Sequence, residues 1–426
     1  MMDRRLFLST SIASTAAASM LSRATWAAGT DRLRVGLVGC GGRGTGALFN
    51  ATSASPEVEV AAIADLFPDR LAGCRGHLEQ LGDRVALTDD DCYVGWDAYK
   101  KLMARPDIDI VILATPPHFR PMMFAEAIAN DKHVFMEKPV AVDPAGVRIV
   151  MAAGDVADQR GLSVVAGTQR RHEACYLDMM RRIRDGEIGE PVAARCYWNQ
   201  GGLWNRGRND DWSDMEWQLR NWLYFTWLSG DHITEQHVHN LDAVNWALGS
   251  HPISCMGMGG RQSRTQPEYG HCFDHFSIDY EYPGGVHALS MARQADGSAS
   301  RVEEVIQGTK GRSVSTSGRT RFEGGRNWSF TAENPNPYVQ EHRDLHASIR
   351  GEQARLNEAR RIAESTLTAI MGRMSAYSGR ELTWDEVLNS NMDLSPPSYS
   401  FTTLGVPAIP VPGRTDPHDS LWTKES

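Results

Sequence analysis

Residues with acid–base or metal-binding side chains are concentrated in one short segment, SGDHITEQHVHNLDAVNW (residues 229–246). Glu235, His239 and Asp242 are separated by four and three residues, which would place them on one face of a continuous helix. His237 would point about 160° away from His239, because a helix turns by about 100° per residue. Histidine has an unperturbed pKa near neutrality, so the histidines of this segment are candidates for a general acid/base.

Two other interpretations of this segment remain open. His239 and Glu235 could be two ligands of a metal ion, but the HExxH signature is absent and the spacing specifies no third ligand. The same residues could also form a polar helix surface that carries no chemistry. The sequence therefore predicts no metal site, and the spacing alone leaves both proton transfer and a solvated helix face open.

A glycine-rich turn lies near the start of the chain, in LRVGLVGCGGRGTGALFNA. Gly39, Gly41 and Gly44 form the pattern G-x-G-x-x-G between an apolar run and a helix-compatible segment. Such a turn lets the backbone approach a pyrophosphate, which then faces the positive end of the helix. We therefore expect these glycines, with Gly42 and Arg43 of the same turn, to bind a dinucleotide.

A second apolar run, VEVAAIAD, ends at Asp65, 21 residues after Gly44. A carboxylate at this distance can accept hydrogen bonds from the adenosine ribose, and its charge would repel a 2′-phosphate. The sequence therefore predicts NAD rather than NADP as the cofactor. Arg70 lies nearby and would weaken this preference.

Two further apolar runs end in polar residues that could face the same ligand. DIDIVILATPPHFRP stops at Thr115, and HVFMEKP stops at Glu137 and Lys138. Repeated alternation of strands and helices predicts a doubly wound parallel sheet, whose ligand lies at the carboxyl ends of the strands.

The glycine turn, TPPH and EKP, in this order, resemble the Gfo/Idh/MocA family of NAD(P)-dependent sugar and cyclitol oxidoreductases. The resemblance extends over roughly residues 31–390. It implies an α/β chain with an N-terminal Rossmann domain and a C-terminal α+β domain whose open sheet is mainly antiparallel. It also implies cofactor contacts by Thr115, Pro116, His118, Glu137, Lys138 and Gln169. One difference is Arg120, which stands where many members have a histidine.

The resemblance also suggests which residues carry the reaction. His239 takes the position of the catalytic histidine, and Lys138 would stabilise the negative oxygen of the reacting hydroxyl. Glu235 replaces the usual aspartate, which extends the carboxylate by one methylene. Substrate contacts are expected from Arg170, His237 and Asp242. The tryptophan-rich segment 198–227 suits a sugar ring, an oligomer interface or an ordinary core equally well.

The first residues resemble a twin-arginine export signal, with Arg4 and Arg5, an Ala/Ser-rich run and small residues near Ala27. This predicts a periplasmic protein that is not stably inserted in a membrane after cleavage of the signal. The predicted divisions are a signal (1–29), an NAD-binding domain (30–160), a substrate and oligomerisation domain (161–390) and a Pro-rich C-terminal arm (391–426).

The composition limits the classes of partner. The net charge is −9 and the basic residues are scattered, so no basic surface for nucleic acid is expected. The expected partners are a small carbohydrate substrate and further copies of the chain, as a dimer or tetramer.

Three functions fit the sequence. The first is an exported oxidoreductase that uses tightly bound NAD to oxidise a secondary hydroxyl of a sugar or cyclitol. The second is a redox-neutral glycosidase, in which oxidation at C3 permits elimination, water addition and final reduction by the same cofactor. The third is a non-catalytic sugar-binding protein that has kept the fold.

Overall fold

Six strands form the sheet of the first domain in the computed structural model, which describes residues 32–422. The strands are Leu33–Val38 (β1), Val58–Asp65 (β2), Cys92–Val94 (β3), Ile110–Leu113 (β4), His133–Met136 (β5) and Val164–Ala166 (β6). All pair in parallel, in the order β3-β2-β1-β4-β5-β6. This is the Rossmann strand order, so the predicted doubly wound sheet is confirmed.

Helices cover both faces of this sheet. Those of the first domain are Gly42–Ala54 (α1), Pro68–Leu78 (α2), Ala98–Met103 (α3), Arg120–Ala129 (α4) and Pro144–Arg160 (α5), with 3-10 turns at Glu79–Arg84, Asp89–Asp91 and Pro117–Phe119. Along β4, Ile110 and Ile112 join one hydrophobic cluster, whereas Val111 and Leu113 join another. Both faces of the strand are therefore buried, which explains its uninterrupted apolar sequence.

Nine strands form the sheet of the second domain. They are Pro191–Gln200 (β7), Ser254–Gly260 (β8), His275–Tyr282 (β9), Val286–Gln294 (β10), Arg301–Gly308 (β11), Arg312–Thr316 (β12), Arg319–Glu323 (β13), Trp328–Ser329 (β14) and Leu382–Thr383 (β15). Their order is β14-β13-β12-β11-β7-β10-β9-β8-β15. Only β7 and β10 pair in parallel. The predicted open, mainly antiparallel sheet is confirmed.

Helices lie against one face of this second sheet. The helices of the second half are Ala174–Arg184 (α6), Asp214–Arg220 (α7), Thr226–Ser229 (α8), His232–Glu235 (α9), Val238–Leu248 (α10), Pro337–Arg350 (α11), Ala359–Ser378 (α12) and Trp384–Leu388 (α13), with 3-10 turns at Gln169–His172, Trp222–Tyr224 and Pro267–Tyr269. Helix α12 packs so closely that a Cβ added at Gly257 of β8 would lie 3.0 Å from the Ala376 nitrogen.

The opposite face of the second sheet exposes large apolar side chains. They are Met256 and Met258 of β8 and Leu289 and Met291 of β10. Several exposed apolar side chains on one sheet face commonly mark an interface. The homo-oligomer remains a prediction.

Several predicted boundaries can be compared with the structure. Strand β6 belongs to the first sheet, so that sheet continues beyond the boundary predicted at residue 160. Within residues 391–422 there is no helix or strand, but Leu394 and Leu404 are buried. The predicted signal (1–29) and the last four residues of the arm lie outside the described residues. Among residues 32–422, no helix is long and apolar enough to span a membrane.

Candidate active site

A cavity of about 930 Å³ lies at the carboxyl ends of the parallel strands. The predicted site residues that line it are Gly39, Gly41, Gly42, Arg43, Asp65, Thr115, Pro116, Glu137, Lys138, Gln169, Glu235 and His239. The predicted residues that do not line it are Gly44, His118, Arg170, His237 and Asp242. The cavity thus brings together the proposed dinucleotide turn and the proposed catalytic pair.

The glycine turn has the geometry that a pyrophosphate requires. Gly39 has a φ of 100°, in the region that favours glycine. A Cβ at Gly44 would lie 1.9 Å from the Gly39 carbonyl oxygen, so Gly44 permits close packing of α1 on the turn. Around Gly41 and Gly42 a Cβ would meet nothing within 4 Å, which leaves open space beside the helix N-terminus. These residues therefore fit a dinucleotide pyrophosphate.

Asp65 ends β2 beside this turn. Its Oδ2 accepts a hydrogen bond from the Cys40 nitrogen at 2.6 Å, and its Oδ1 accepts one from the Phe67 nitrogen at 2.8 Å. Burial raises the pKa of this carboxyl above its usual value, while the two backbone donors oppose that shift. Each carboxylate oxygen has further lone-pair capacity, so Asp65 fits the hydroxyls of an adenosine ribose.

Lys138 and Glu235 meet on the cavity wall. The Lys138 ammonium donates to Glu235 Oε1 at 2.9 Å and to the Glu235 backbone oxygen at 2.5 Å. Lys138 follows β5 of the first domain, whereas Glu235 ends α9 of the second. The pair therefore joins the two domains at the site.

The prediction of one continuous helix through Glu235, His239 and Asp242 was wrong. Helix α9 ends at Glu235 and α10 begins at Val238. The local chain is fixed by Asp231, which has a φ of 68°. Its buried carboxylate accepts hydrogen bonds from the Phe273 nitrogen at 2.9 Å, the Tyr377 hydroxyl at 2.6 Å and the His232 nitrogen at 2.5 Å.

His239 lines the cavity from the first turn of α10 and stacks on Trp198, with ring centroids 5.8 Å apart. Burial lowers its pKa well below 6.5, and the positive charges of Lys138 and Arg170 lower it further. Among the described residues, its buried Nδ1 has no hydrogen-bond partner. His239 is therefore neutral near pH 7 and can accept a proton.

Asp242 is placed away from the cavity, although it was predicted to contact substrate. Its carboxylate accepts hydrogen bonds from Arg171 at 2.8 and 2.9 Å, from Arg361 at 3.1 Å and from Ser365 at 2.7 Å. The two arginines hold its pKa well below the usual range despite burial. A carboxylate so enclosed has an ionic and structural role in this chain, and its charge opposes the lowering of the His239 pKa.

Arg170 and His237, also predicted to contact substrate, are likewise buried behind the cavity wall. Arg170 forms an ion pair with Glu304 and lies over the rings of Tyr176 and Trp198. His237 is hydrogen-bonded through Nε2 to Ser290 Oγ at 2.7 Å. The structure does not bring these two predicted residues to the cavity.

His118, predicted to contact the cofactor, is also buried. Its Nε2 is hydrogen-bonded to the Tyr399 hydroxyl at 2.8 Å. Burial lowers the His118 pKa to about 4, so the ring is neutral near pH 7. Tyr399 lines the cavity, so His118 reaches the site only through its partner.

Arg120 has a role that the sequence did not reveal. Its buried guanidinium donates to the Thr115 carbonyl at 2.6 Å and to the Pro139 carbonyl at 2.5 Å. These carbonyls follow the ends of the neighbouring strands β4 and β5. Arg120 therefore ties together the two strand ends that carry Thr115 and Lys138.

A second group that sequence reasoning missed comes from α11, far along the chain. Arg43 Nη2 lies 2.5 Å from Glu137 Oε1 and 3.2 Å from Glu341 Oε1. Gln169 Nε2 donates to the Tyr338 hydroxyl at 3.1 Å. No local motif marks Glu341 or Tyr338, because their role arises only from the return of α11 to the first domain.

Tryptophans of the segment 198–227 divide between the site and the core. Trp204 and Trp222 line the cavity. Trp217 and Trp227 are buried in the hydrophobic core. Within residues 32–422, no group of three or more His, Cys, Asp or Glu side chains is arranged to hold a metal ion.

Comparison with known proteins agrees with this architecture. The family profile described as "Oxidoreductase family, NAD-binding Rossmann fold" matches residues 33–166, and the profile of the GFO/IDH/MocA C-terminal domain matches residues 176–314. The aldose-aldose oxidoreductase of Caulobacter crescentus, solved with glycerol, has the same fold. It is 19% identical, with a TM-score of 0.65 over 83% of this chain and 99% of that one.

Two curated relatives are similar over part of their length. The 2,7-anhydro-N-acetylneuraminate hydratase of Escherichia coli is 29% identical over 49% of this chain and 52% of its own. The inositol 2-dehydrogenase of Burkholderia lata is 27% identical over 54% of this chain and 59% of its own. The match thus spans little more than half the length of these relatives. With both profiles matched in order on the expected fold, the chain belongs to the Gfo/Idh/MocA oxidoreductase family.

Proposed function

We propose that this protein is an exported NAD-dependent oxidoreductase that acts on a secondary hydroxyl of a sugar or cyclitol. The observation that carries the proposal is the convergence of Lys138, Glu235 and His239 on the cavity that contains the glycine turn and Asp65. The inositol dehydrogenase relative supports the substrate class. A non-catalytic sugar-binding protein would have no need of this convergence.

The cofactor would be held by the glycine turn, the N-terminus of α1 and Asp65. When bound, NAD supplies the acceptor for the hydride of the carbinol carbon. His239, neutral at pH 7, takes the hydroxyl proton. The Lys138 ammonium stabilises the negative charge that develops on the same oxygen. Glu235 orients that ammonium through the 2.9 Å ion pair.

Substitution of the two proposed catalytic residues tests this function. Lys138→Ala and His239→Ala should each lower kcat/KM by roughly 10²–10⁴, measured as NADH formation with a panel of sugars and cyclitols. In His239→Ala, the NAD(H) released by acid denaturation should remain close to the wild-type amount. Lys101→Ala, an exposed lysine outside the cavity, is the control. Wild-type activity in both test variants would refute the assignment.

A second candidate is the redox-neutral glycosidase. The hydratase relative favours it, because the addition of water to a sugar causes no net oxidation and so consumes no oxidant. Oxidation at C3 would acidify the C2 hydrogen, the aglycone would leave by elimination, water would add, and the ketone would be reduced again. As in the oxidoreductase, Lys138 would stabilise the negative charge on the reacting oxygen and His239 would take the hydroxyl proton. Incubation of aryl glycosides in deuterated water separates the two candidates. Aglycone release with deuterium at C2 supports the cycle, whereas a keto-sugar without cleavage supports simple oxidation.

Export through the twin-arginine pathway is part of the proposal and rests on Arg4 and Arg5. The precursor should appear in the periplasm as a shortened mature protein. Replacement of both arginines by lysine should leave the full-length precursor in the cytoplasm, which fractionation and intact-mass measurement would detect. Periplasmic protein from the substituted precursor would disprove this route.

A further inference from the structure

The C-terminal segment Asp393–Leu404 is anchored on both domains. At one end, the Leu394 nitrogen donates to the Asp143 carboxylate at the start of α5, at 2.8 Å. At the other end, the Leu404 nitrogen donates to Asp214 at 3.1 Å, and Gln218 donates to the Leu404 carbonyl at 2.8 Å. Both leucine side chains are buried. The segment is therefore a bridge that is anchored at its two ends, on α5 and α7.

Between these anchors, Tyr399 forms part of the cavity wall. Its hydroxyl is hydrogen-bonded to His118 at 2.8 Å. Its ring lies 5.9 Å from that of Trp96 and 6.0 Å from that of Phe119, measured between centroids. Tyr399 thus closes a side of the cavity that the Rossmann domain alone would leave open.

Phe401 continues the same bridge towards Asp65. Its ring stacks on Phe67 at 5.8 Å and lies 5.5 Å from Trp96. Phe67 and Trp96 line the cavity, and Phe67 is two residues beyond the carboxylate proposed to bind the adenosine ribose. Phe401 therefore supports the adenosine end of the cavity from outside.

The course of the bridge follows the sheet edge on which a dinucleotide would lie. His118 follows β4 and Phe67 follows β2, with β1 and its glycine turn between them. Two strand spacings are about 10 Å, and the step from Tyr399 to Phe401 spans at most about 7 Å before their rings add reach. The bridge thus passes from one side of the glycine turn to the other.

We propose that Asp393–Leu404 is a strap that forms the outer wall of the cofactor site and retains the bound dinucleotide until the strap lifts. The inference rests on the proposed dinucleotide-dependent function. The segment lies beyond residue 314, where the match to the family profiles ends. Retention would require the cofactor to be regenerated in place, by a second substrate or by a redox-neutral cycle.

The rate of NADH release tests the strap. Mature protein is loaded with NADH, an excess of NAD is added as a trap, and the loss of bound NADH fluorescence is followed. The double variant Tyr399→Ala/Phe401→Ala should release NADH about tenfold faster than the wild type, because it loses the aromatic contacts that hold the strap closed. Ile409→Ala, an exposed apolar residue further along the arm, should release NADH at the wild-type rate.

A volume-conserving variant keeps the test meaningful if the double alanine variant does not fold. Tyr399→Phe keeps the ring, loses the hydroxyl with its hydrogen bond to His118, and should also release NADH faster. In addition, NADH binding should slow hydrogen exchange at the Leu394 and Leu404 amides. Wild-type release in the strap variants, or unchanged exchange at both amides, would overturn the inference. Failure of the wild type to bind NADH would instead overturn the proposed function.

Discussion

The ammonium of Lys138 is bound to Glu235 twice, through the carboxylate at 2.9 Å and through the backbone oxygen at 2.5 Å. The proposed catalytic lysine of the first domain is therefore positioned by the second domain. Such a site is complete only when the two domains keep their relative arrangement. It should also be sensitive to the length of the Glu235 side chain, whose carboxylate reaches from the second domain to Lys138.

Shortening that carboxylate is the first prediction. Glu235→Asp withdraws the oxygens by one methylene, and Glu235→Gln keeps the reach but removes the charge. A charge-assisted hydrogen bond contributes about 1.5–3 kcal/mol, so each variant should lose roughly 10–100-fold in kcat/KM. Steady-state kinetics with unchanged NADH affinity would locate the loss in chemistry. Full activity of the aspartate variant would mean that the extra methylene has no catalytic consequence.

The second prediction concerns the pH dependence of activity. Burial and the charges of Lys138 and Arg170 hold the His239 pKa well below 6.5, so the proposed base is already neutral at pH 7. The acidic limb of kcat/KM should therefore lie below pH 6.5. Removal of the Lys138 charge should raise the His239 pKa, which NMR titration of the ring in Lys138→Met can detect. An acidic limb above pH 7 for the wild type would contradict this assignment.

The dinucleotide turn was predictable because its determinants are local. Gly39 has a positive φ that favours glycine, and Gly44 packs too closely on the turn for a side chain. Both requirements are encoded within a few consecutive residues. The strand after which Asp65 falls is likewise visible as an uninterrupted apolar run. The parallel sheet and its ligand-binding edge follow from such runs.

The face presented by Glu235, His239 and Asp242 was only partly predictable, because distant residues fix the local chain. Phe273 and Tyr377 hold Asp231 and so determine where α9 begins. Glu235 and His239 still reach the cavity, but from two helices. Asp242 is enclosed by arginines from α12 and from the turn Gln169–His172. Helical spacing contains no information about these long-range partners.

The third prediction concerns stability at alkaline pH. His172 lies 2.5 Å from Asp344 and 3.7 Å from Glu358, and these carboxylates raise its pKa to about 10 despite burial. Because the folded-state pKa exceeds the unfolded value near 6.5, this stabilisation is complete below pH 6.5 and is lost between pH 6.5 and about 10. His172→Gln should therefore destabilise the protein more at about pH 6 than at about pH 9. Urea unfolding at both values checks this, and an equal loss at both would contradict it.

The exposed face of the second sheet yields the fourth prediction. Met258 is 69% exposed and Leu289 is 41% exposed, on strands β8 and β10. If this face joins copies of the chain, the double variant Met258→Glu/Leu289→Glu should dissociate a dimer or tetramer, because two buried charges would lack partners. Light scattering after gel filtration measures the mass. Ile149→Glu, an exposed residue of α5, is the control, and a monomeric wild type would disprove the expectation.

Cofactor preference is the fifth prediction, and it depends on the balance between Asp65 and the arginines that line the same cavity. Arg70, Arg206 and Arg220 are cavity residues, so the site also contains groups that could bind a 2′-phosphate. The Asp65 carboxylate should outweigh them, because at the end of β2 it would accept hydrogen bonds from the ribose hydroxyls and repel the extra phosphate. The wild type should therefore bind NADH more tightly than NADPH in fluorescence titrations.

Asp65→Ala should lower the ratio of the Kd for NADPH to the Kd for NADH by about tenfold. Adding Arg70→Ala to Asp65→Ala should raise this ratio part of the way back to the wild-type value. Tighter binding of NADPH by the wild type would mean that the arginines dominate, and the assignment of NAD would then be wrong.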